Sequence, residues 1–217
     1  MQYGTVIDFH FRFLGIRRTT NYYIMTLKEI IYKNRSYRRF YEEVDMRKEQ
    51  LTNLVDLARM SPSPKNLQAL KFKICNNRKL NNKIFPALAW AGYLKGWQGP
   101  EKGERPAAYI FILADKNISP DIAKDYLYTA SGYVAQSMLL GAVEMGFGGC
   151  TIAAFRRNEL NKAINLPEHL EIMMVLALGK PKENIIITEV ENQDIKYYRD
   201  ENGNHYVPKR SLNDLIV

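Results

Sequence analysis

The sequence predicts one mixed domain, α+β or a three-layer α/β arrangement, and three observations carry that expectation. The chain has 217 residues, 46% of them hydrophobic, enough for one sizeable core and too few for two full-sized domains. Two nearly continuous apolar runs of strand length, residues 107–115 and 171–179, read as strands covered on both faces. Helical patterns recur around them in irregular order, without the steady β-α-β alternation of a Rossmann fold.

Taken in order, residues 26–33 predict a short helix, with Thr26 as its N-cap and Glu29 closing a capping box. A second helix is expected over 46–60, capped by Asp45, with Leu51, Leu54, Val55 and Ala58 on one face. It stops at SPSPKN, whose prolines cannot continue a helix. LKFKIC (70–75) alternates like a strand, and residues 80–94 look helical with an interruption at Pro86. The Gly- and Pro-rich stretch 96–106 is a charged surface loop, and 107–115 the first buried strand.

A long helix is predicted over about 120–146, uncharged from Tyr126 to Val143. Its tyrosines, Thr129, Ser131, Gln136 and Ser137 make it too polar to lie in lipid, so burial all round is expected instead. One face would meet the chain's own sheet and the other a second subunit, with Ala130, Ser137 and Gly141 allowing close helix contact; a homodimer is expected, the alternative being a central core helix of a monomer. Residues 146–155 form a glycine-rich turn into a strand, 156–165 a helix, 171–179 the second buried strand, and KPKEN a turn. Asn202-Gly203 between aromatic flanks marks a hairpin.

The 31 Lys and Arg against 23 Asp and Glu give a formal net charge of +8, a field that attracts nucleic acid, anionic membrane or phosphorylated small molecules. Acids are interleaved with the bases, whereas a nucleic-acid stripe is more concentrated. The most compact cluster is NRSYRRF (34–40), with Arg35, Arg38 and Arg39. The two cysteines, Cys75 and Cys150, lack C-x-x-C spacing, and the three histidines lack metal-ligand spacing. No metal is expected, and a reducing cytoplasm is the simplest compartment. Residues 1–24 have no signal-peptide pattern and read as an arm outside a core domain of residues 25–217.

Dinucleotide, P-loop and serine-hydrolase motifs are missing. Either the protein is not an enzyme, and is for instance a basic anion- or nucleic-acid-binding module, or a cofactor carries the chemistry. NRSYRRF, SPSPKNLQ, GYVAQSMLLGAVEMGFGGC, LALGKPKE and PKRSL, in that order and spacing, resemble the nitroreductase family of FMN-dependent oxidoreductases over roughly residues 25–217.

The resemblance implies an α+β three-layer α-β-α sandwich and an obligate homodimer with FMN at the subunit interface. It assigns Arg35, Ser36 and Arg38 to the FMN phosphate, ribityl chain and pyrimidine edge, with Asn34 where the family commonly has arginine. Pro62, Ser63, Asn66 and Gln68 would contact the flavin from the other subunit, while Ala69-Leu70 replace the usual Pro-Trp. Gly149, Cys150, Thr151 and Ile152 would pass beside the ring, and Lys209 and Arg210 would complete the phosphate site. Arg39 has no role in the motif and is expected to face solvent; Cys150 is expected to pack rather than react.

No side chain is assigned as a covalent catalyst. The implied reaction is ping-pong, NADH or NADPH giving hydride to flavin N5 and an electron-poor small molecule, a nitroaromatic or quinone, then accepting it, with Arg38 tuning the flavin electrostatically. Same-fold relatives that dehalogenate or process flavin mark the alternative chemistry, and Trp97 lies where a substrate-covering segment would be, with a buried or loop-anchoring role as the equal alternative. Neither nucleic acid nor membrane is an expected partner.

Overall fold

The computed structural model describes residues 24–118 and 120–217; apart from Ile24, the expected arm over residues 1–24 lies outside them. Helix α1 spans Leu27–Lys33 and starts as predicted: the Thr26 hydroxyl accepts from Glu29 N–H, and the Glu29 carboxylate accepts from Thr26 N–H at 2.7 Å. After the two-residue strand β1 (Phe40–Tyr41), helix α2 (Lys48–Arg59) buries Leu51, Leu54 and Ala58. Asp45 does not cap it. Arg47 holds the N-cap position, and Asp45 instead accepts from Arg78 at 2.8 Å.

Strand β2 (Leu70–Cys75) follows, then helix α3 (Arg78–Ile84), which opens with the Asn77 side chain capping Leu80 N–H. The predicted helix to residue 94 ends at Ile84; a 3₁₀ turn over Phe85–Ala87 replaces it, because Pro86 has no N–H to continue the ladder. Strand β3 (Ala108–Asp115) and the long helix α4 (Lys124–Glu144) come next. Strand β4 (Gly148–Ile152), helix α5 (Arg157–Ala163) and strand β5 (Leu170–Pro181) complete the main body.

The main sheet runs β1-β5-β3-β2, with β4 also paired to β5, and every pairing is antiparallel. Period-two alternation sends the side chains of β3 to two different cores. Ala108, Ile110, Ile112 and Ala114 pack with Leu51 and Leu54 of α2 and with Val134, Met138 and Ala142 of α4. Tyr109, Phe111 and Leu113 pack with Ile84 of α3 and Leu160 of α5. This is a three-layer α-β-α sandwich of α+β type, and the continuous hydrophobicity of residues 107–115 follows from burial on both faces.

The remaining chain forms a small second sheet of β6 (Ile185–Glu189), β7 (Tyr198–Arg199) and β8 (His205–Lys209), in the order β6-β8-β7. Strand β6 was not anticipated beyond the KPKEN turn. The Asn202-Gly203 hairpin is present, with Gly203 at φ +78° in the left-handed region that favours glycine.

Within this one chain helix α4 buries a single face. Leu127, Ala130, Val134, Met138 and Ala142 face inward, while Tyr126, Tyr128 and Tyr133 remain 39%, 48% and 48% exposed. Two of the small residues expected at a partner serve this chain: a Cβ on Gly141 would lie 2.3 Å from Leu57 Cδ1 of α2, and Ala130 is buried. Ser137 takes a hydrogen bond from the Ser61 hydroxyl at 2.7 Å. Among the described residues no helix is long and apolar enough to cross a membrane.

Candidate functional site

The cationic segment starts where α1 stops. Asn34 leaves helical geometry (φ −74°, ψ 97°), and the extended chain that follows lies beside β4, with Ser36 bridged to Gly149 and Tyr37 N–H donating to Gly149 C=O at 3.1 Å. Gly148 permits this approach. On the side of residues 35–38 it is Gly148 that matters, since a Cβ there would lie 2.7 Å from the Tyr37 ring, whereas one on Gly149 would meet Ala177 C=O on β5 at 2.3 Å. Two segments more than a hundred residues apart in sequence thereby become neighbours, as their shared assignment to one site requires.

The three arginines then meet different surroundings. Arg35 donates from its terminal nitrogen to Ile31 C=O at 2.8 Å, while its Nε is buried without a partner. Arg38 donates its backbone N–H to Glu183 Oε2 at 2.7 Å; its guanidinium donates to Ser36 C=O at 3.2 Å and lies 5.0 Å from the Tyr197 ring centroid. Arg39 is not the solvent-facing residue expected. It forms a two-pronged ion pair with Glu104, at 2.5 and 2.7 Å, and Lys182 joins the same carboxylate at 2.9 Å. Those hydrogen bonds and charges hold the Glu104 carboxyl down at about 2. Among the described residues no ion pair involves Arg35, Arg38, Lys209 or Arg210.

Cys150 is 2% exposed, and burial pushes its thiol up to about 12, so it stays neutral and packs beside Leu160 and Ala177 rather than presenting a thiolate. Ile152 is buried with it, and Thr151 points outward.

The second predicted cluster, on the loop after α2, is locked internally. Ser63 Oγ accepts from Gln68 N–H at 3.0 Å, and the Gln68 amide donates to Asn66 Oδ1 at 3.2 Å. Lys65, Asn66 and Gln68 all hold positive φ (53°, 52° and 48°), a conformation that costs energy outside glycine and concentrates at functional sites. Pro62, Asn66 and Gln68 are exposed beside this network. Asn34 donates to Gln136 at 3.5 Å, whereas Lys65 lies over Tyr126. Ten residues of α4 separate those anchors, about 15 Å at 1.5 Å per residue. Within one chain the two clusters are thus spaced along the same helix.

Lys209 and Arg210 are likewise not joined to Arg35 or Arg38. Lys209 ends β8 opposite Glu189, roughly 13 Å along the strand from His205, and Arg210 donates to Gln193 at 2.6 Å.

Four residues around Arg38 escaped the sequence reading: Glu183, Tyr197, Arg199 and His205. The Glu183 side chain is fully buried and takes hydrogen bonds from Arg38 N–H and from the Arg199 guanidinium. Arg199 stacks over Trp97 at 4.2 Å, which gives that tryptophan an anchoring role in this chain. His205 is fully buried, with Nδ1 3.7 Å from Glu183 and its ring 5.3 Å from that of Tyr197. Burial lowers its pKa to about 4 against the pull of Glu183, leaving the ring neutral near neutral pH. Nothing in KPKEN distinguishes a buried glutamate from a solvated turn residue.

Comparison with known proteins agrees with this architecture. A protein-family model described as the nitroreductase family matches residues 31–180. A protein of Archaeoglobus fulgidus named as an NADH dehydrogenase/NAD(P)H nitroreductase is 24% identical over 169 residues, covering 76% of this chain and 91% of that one. A nitroreductase family protein of Clostridium novyi superposes with a TM-score of 0.61 at 27% identity, over 73% of this chain and 86% of that one. A nitroreductase of Exiguobacterium sibiricum, solved in complex with FMN, has the same fold at a TM-score of 0.62 and 20% identity, over 81% of this chain and 98% of that one. With the matched residues running from α1 through the Ser36–Gly149 junction to the end of the main sheet, the chain belongs to the nitroreductase family of oxidoreductase enzymes.

Proposed function

We propose that the protein is an FMN-dependent NAD(P)H oxidoreductase working as a homodimer, with its FMN cradle built on the junction of residues 35–38 and β4. The observation that carries this reading is the pairing of Ser36 and Tyr37 with Gly149, which aligns an unpaired cationic segment along a glycine-lined strand. The residues fit an anionic planar cofactor. Among the described residues, Arg35 holds a buried Nε without a hydrogen-bond partner and Arg38 has no carboxylate in ion-pair range. Arginine's flat fork suits phosphate oxygens and a carbonyl edge alike.

In this assignment Arg35 and Ser36 hold the phosphate and ribityl chain, Arg38 places positive charge at the pyrimidine edge, and residues 149–152 border the ring. Lys209 and Arg210 are the candidates for further phosphate cations. Pro62, Ser63, Asn66 and Gln68 are assigned to the FMN of the partner subunit, in keeping with their distance along α4 from Asn34. The stripe Tyr126, Thr129, Tyr133, Gln136 and Leu140, spaced three and four residues apart, is the proposed dimer seam. Beside it α1, α2 and α4 leave a groove of about 400 Å³ lined by Leu27, Ile30, Met60 and Leu140. The chemistry supplied by bound FMN is two-electron transfer at N5, from NADH or NADPH to a nitroaromatic or quinone acceptor in ping-pong order.

The Exiguobacterium relative's FMN complex and the NAD(P)H in the Archaeoglobus relative's name support this reading. It is tested by titrating the protein with FMN while following quenching of flavin fluorescence. Stoichiometric binding, bleaching of the flavin absorbance by NADH or NADPH, and parallel double-reciprocal plots are expected. A protein that binds no FMN would refute it.

A further inference from the structure

Arg38 and Glu183 stand in an unusual relation. The carboxylate accepts the backbone N–H of Arg38 at 2.7 Å, yet no ion pair joins it to the Arg38 guanidinium. A fully buried carboxylate beside an arginine ordinarily takes that arginine as its ion partner, because an unpaired buried charge is costly. Here the charge of Glu183 is met by Arg199, which donates to Oε1 from a site only 15% exposed. Arg199 is fixed in turn by Trp97, over whose ring its guanidinium lies at 4.2 Å. The other polar neighbour, His205, has its Nδ1 at 3.7 Å from Oε1, outside hydrogen-bond range.

We propose that Arg199 is a positioning residue that occupies the charge of Glu183, so that Glu183 fixes the main chain of Arg38 while the Arg38 guanidinium stays available for an anionic or electron-rich ligand edge. Glu183 thus has two jobs, one on each oxygen: Oε2 holds the loop and Oε1 is kept occupied. Removing Arg199 leaves a buried carboxylate without its cation, next to a residue whose backbone N–H it already holds and whose guanidinium, now resting on Tyr197, carries no ion pair of its own among the described residues. The inference rests on the reading of residues 35–38 as an FMN site.

The test measures FMN dissociation constants by fluorescence quenching for the wild type, Arg199→Gln, Glu183→Gln and the double variant, each checked for fold by circular dichroism. Wild-type binding is the control; its failure would refute the FMN reading itself, separately from this inference. Arg199→Gln is expected to weaken FMN roughly tenfold or more, the scale of one lost charge-assisted hydrogen bond. The double variant is expected to recover to within about threefold of wild type, because the glutamine amide oxygen still accepts from Arg38 N–H while no carboxylate remains to capture its guanidinium. A double variant as weak as Arg199→Gln, or an Arg199→Gln that binds like wild type, overturns the proposal. Should Arg199→Gln fail to fold, the neutral double variant decides alone: an FMN affinity lowered tenfold overturns the proposal, and retained affinity upholds it.

Discussion

The Arg39–Glu104 pair offers a stability prediction whose size follows from geometry. Glu104 receives two guanidinium hydrogen bonds at 2.5 and 2.7 Å and a lysine at 2.9 Å, and its side chain is 16% exposed. Its carboxyl sits at about 2 instead of 4.5. At 1.36 kcal/mol per pH unit that difference is worth roughly 3 kcal/mol at most. Arg39 and Lys182 keep 29% and 39% side-chain exposure, so solvent screening brings the expected contribution to about 1–2 kcal/mol.

The sign is that of a carboxylate with a depressed folded-state pKa. Its stabilisation is fully present above about 4.5 and fades as pH falls toward 2. Urea denaturation of the wild type and Glu104→Gln should differ by about 1–2 kcal/mol near pH 7, with the gap closing toward pH 2. A double-mutant cycle with Arg39→Gln should return a coupling of about 1 kcal/mol or more. A gap that stays constant over that pH range, or a coupling near zero, would show that the pair is a solvated surface contact and refute the reasoning.

Three further outcomes are expected. Gly149→Ala should cost about 1–3 kcal/mol by forcing β4 away from Ala177 C=O, and should weaken FMN binding because Ser36 and Tyr37 move with β4; a denaturation midpoint equal to wild type would contradict the close approach. His205 has a folded-state pKa of about 4 against an ordinary 6.5, so the unfolded chain binds the extra proton and stability should fall as pH drops from about 6.5 toward 4. His205→Phe should flatten that slope in pH-dependent unfolding, and an unchanged slope would assign it to other groups. Tyr133→Glu, on the exposed face of α4, should leave the chain folded but shift its mass by light scattering from dimer to monomer; a persistent dimer would place the seam elsewhere.

Much of the architecture was legible because local patterns and tertiary burial agree. The uninterrupted apolar run at 107–115 has one physical cause, burial on both faces of the sheet, and it became β3. Thr26 and Glu29 signalled a helix start that needs no tertiary help. Asp45 signalled one equally well, but Arg78, 33 residues downstream, supplies a competing partner. The uncharged stretch of α4 pointed to a helix covered on both faces, one by its own sheet and the other by a second subunit, and this chain alone buries the inward one. At the site, the glycine-rich turn into a strand was visible in composition, but not that Gly148 faces the Tyr37 ring and Gly149 the Ala177 carbonyl. The part played by Glu183 was not, because a carboxylate's burial depends on which strands converge around it.

The three arginines of residues 34–40 state that limit most directly. Equal in chemistry and adjacent in sequence, they differ because carboxylates 65 and 145 residues downstream reach them by different atoms. Glu104 takes the Arg39 guanidinium and removes it from any ligand-binding role. Glu183 takes only the backbone of Arg38, whose guanidinium rests on Ser36 C=O and Tyr197 without an ion pair, and among the described residues Arg35 makes no ion pair. A basic cluster therefore becomes a structural clamp or a ligand socket according to where its acids are, and an acid already neutralised by a second arginine counts as no acid for the first. If residues 35–38 hold an anion as proposed, Arg199 and Trp97, which keep Glu183 occupied, contribute to its binding alongside the arginines that would touch it.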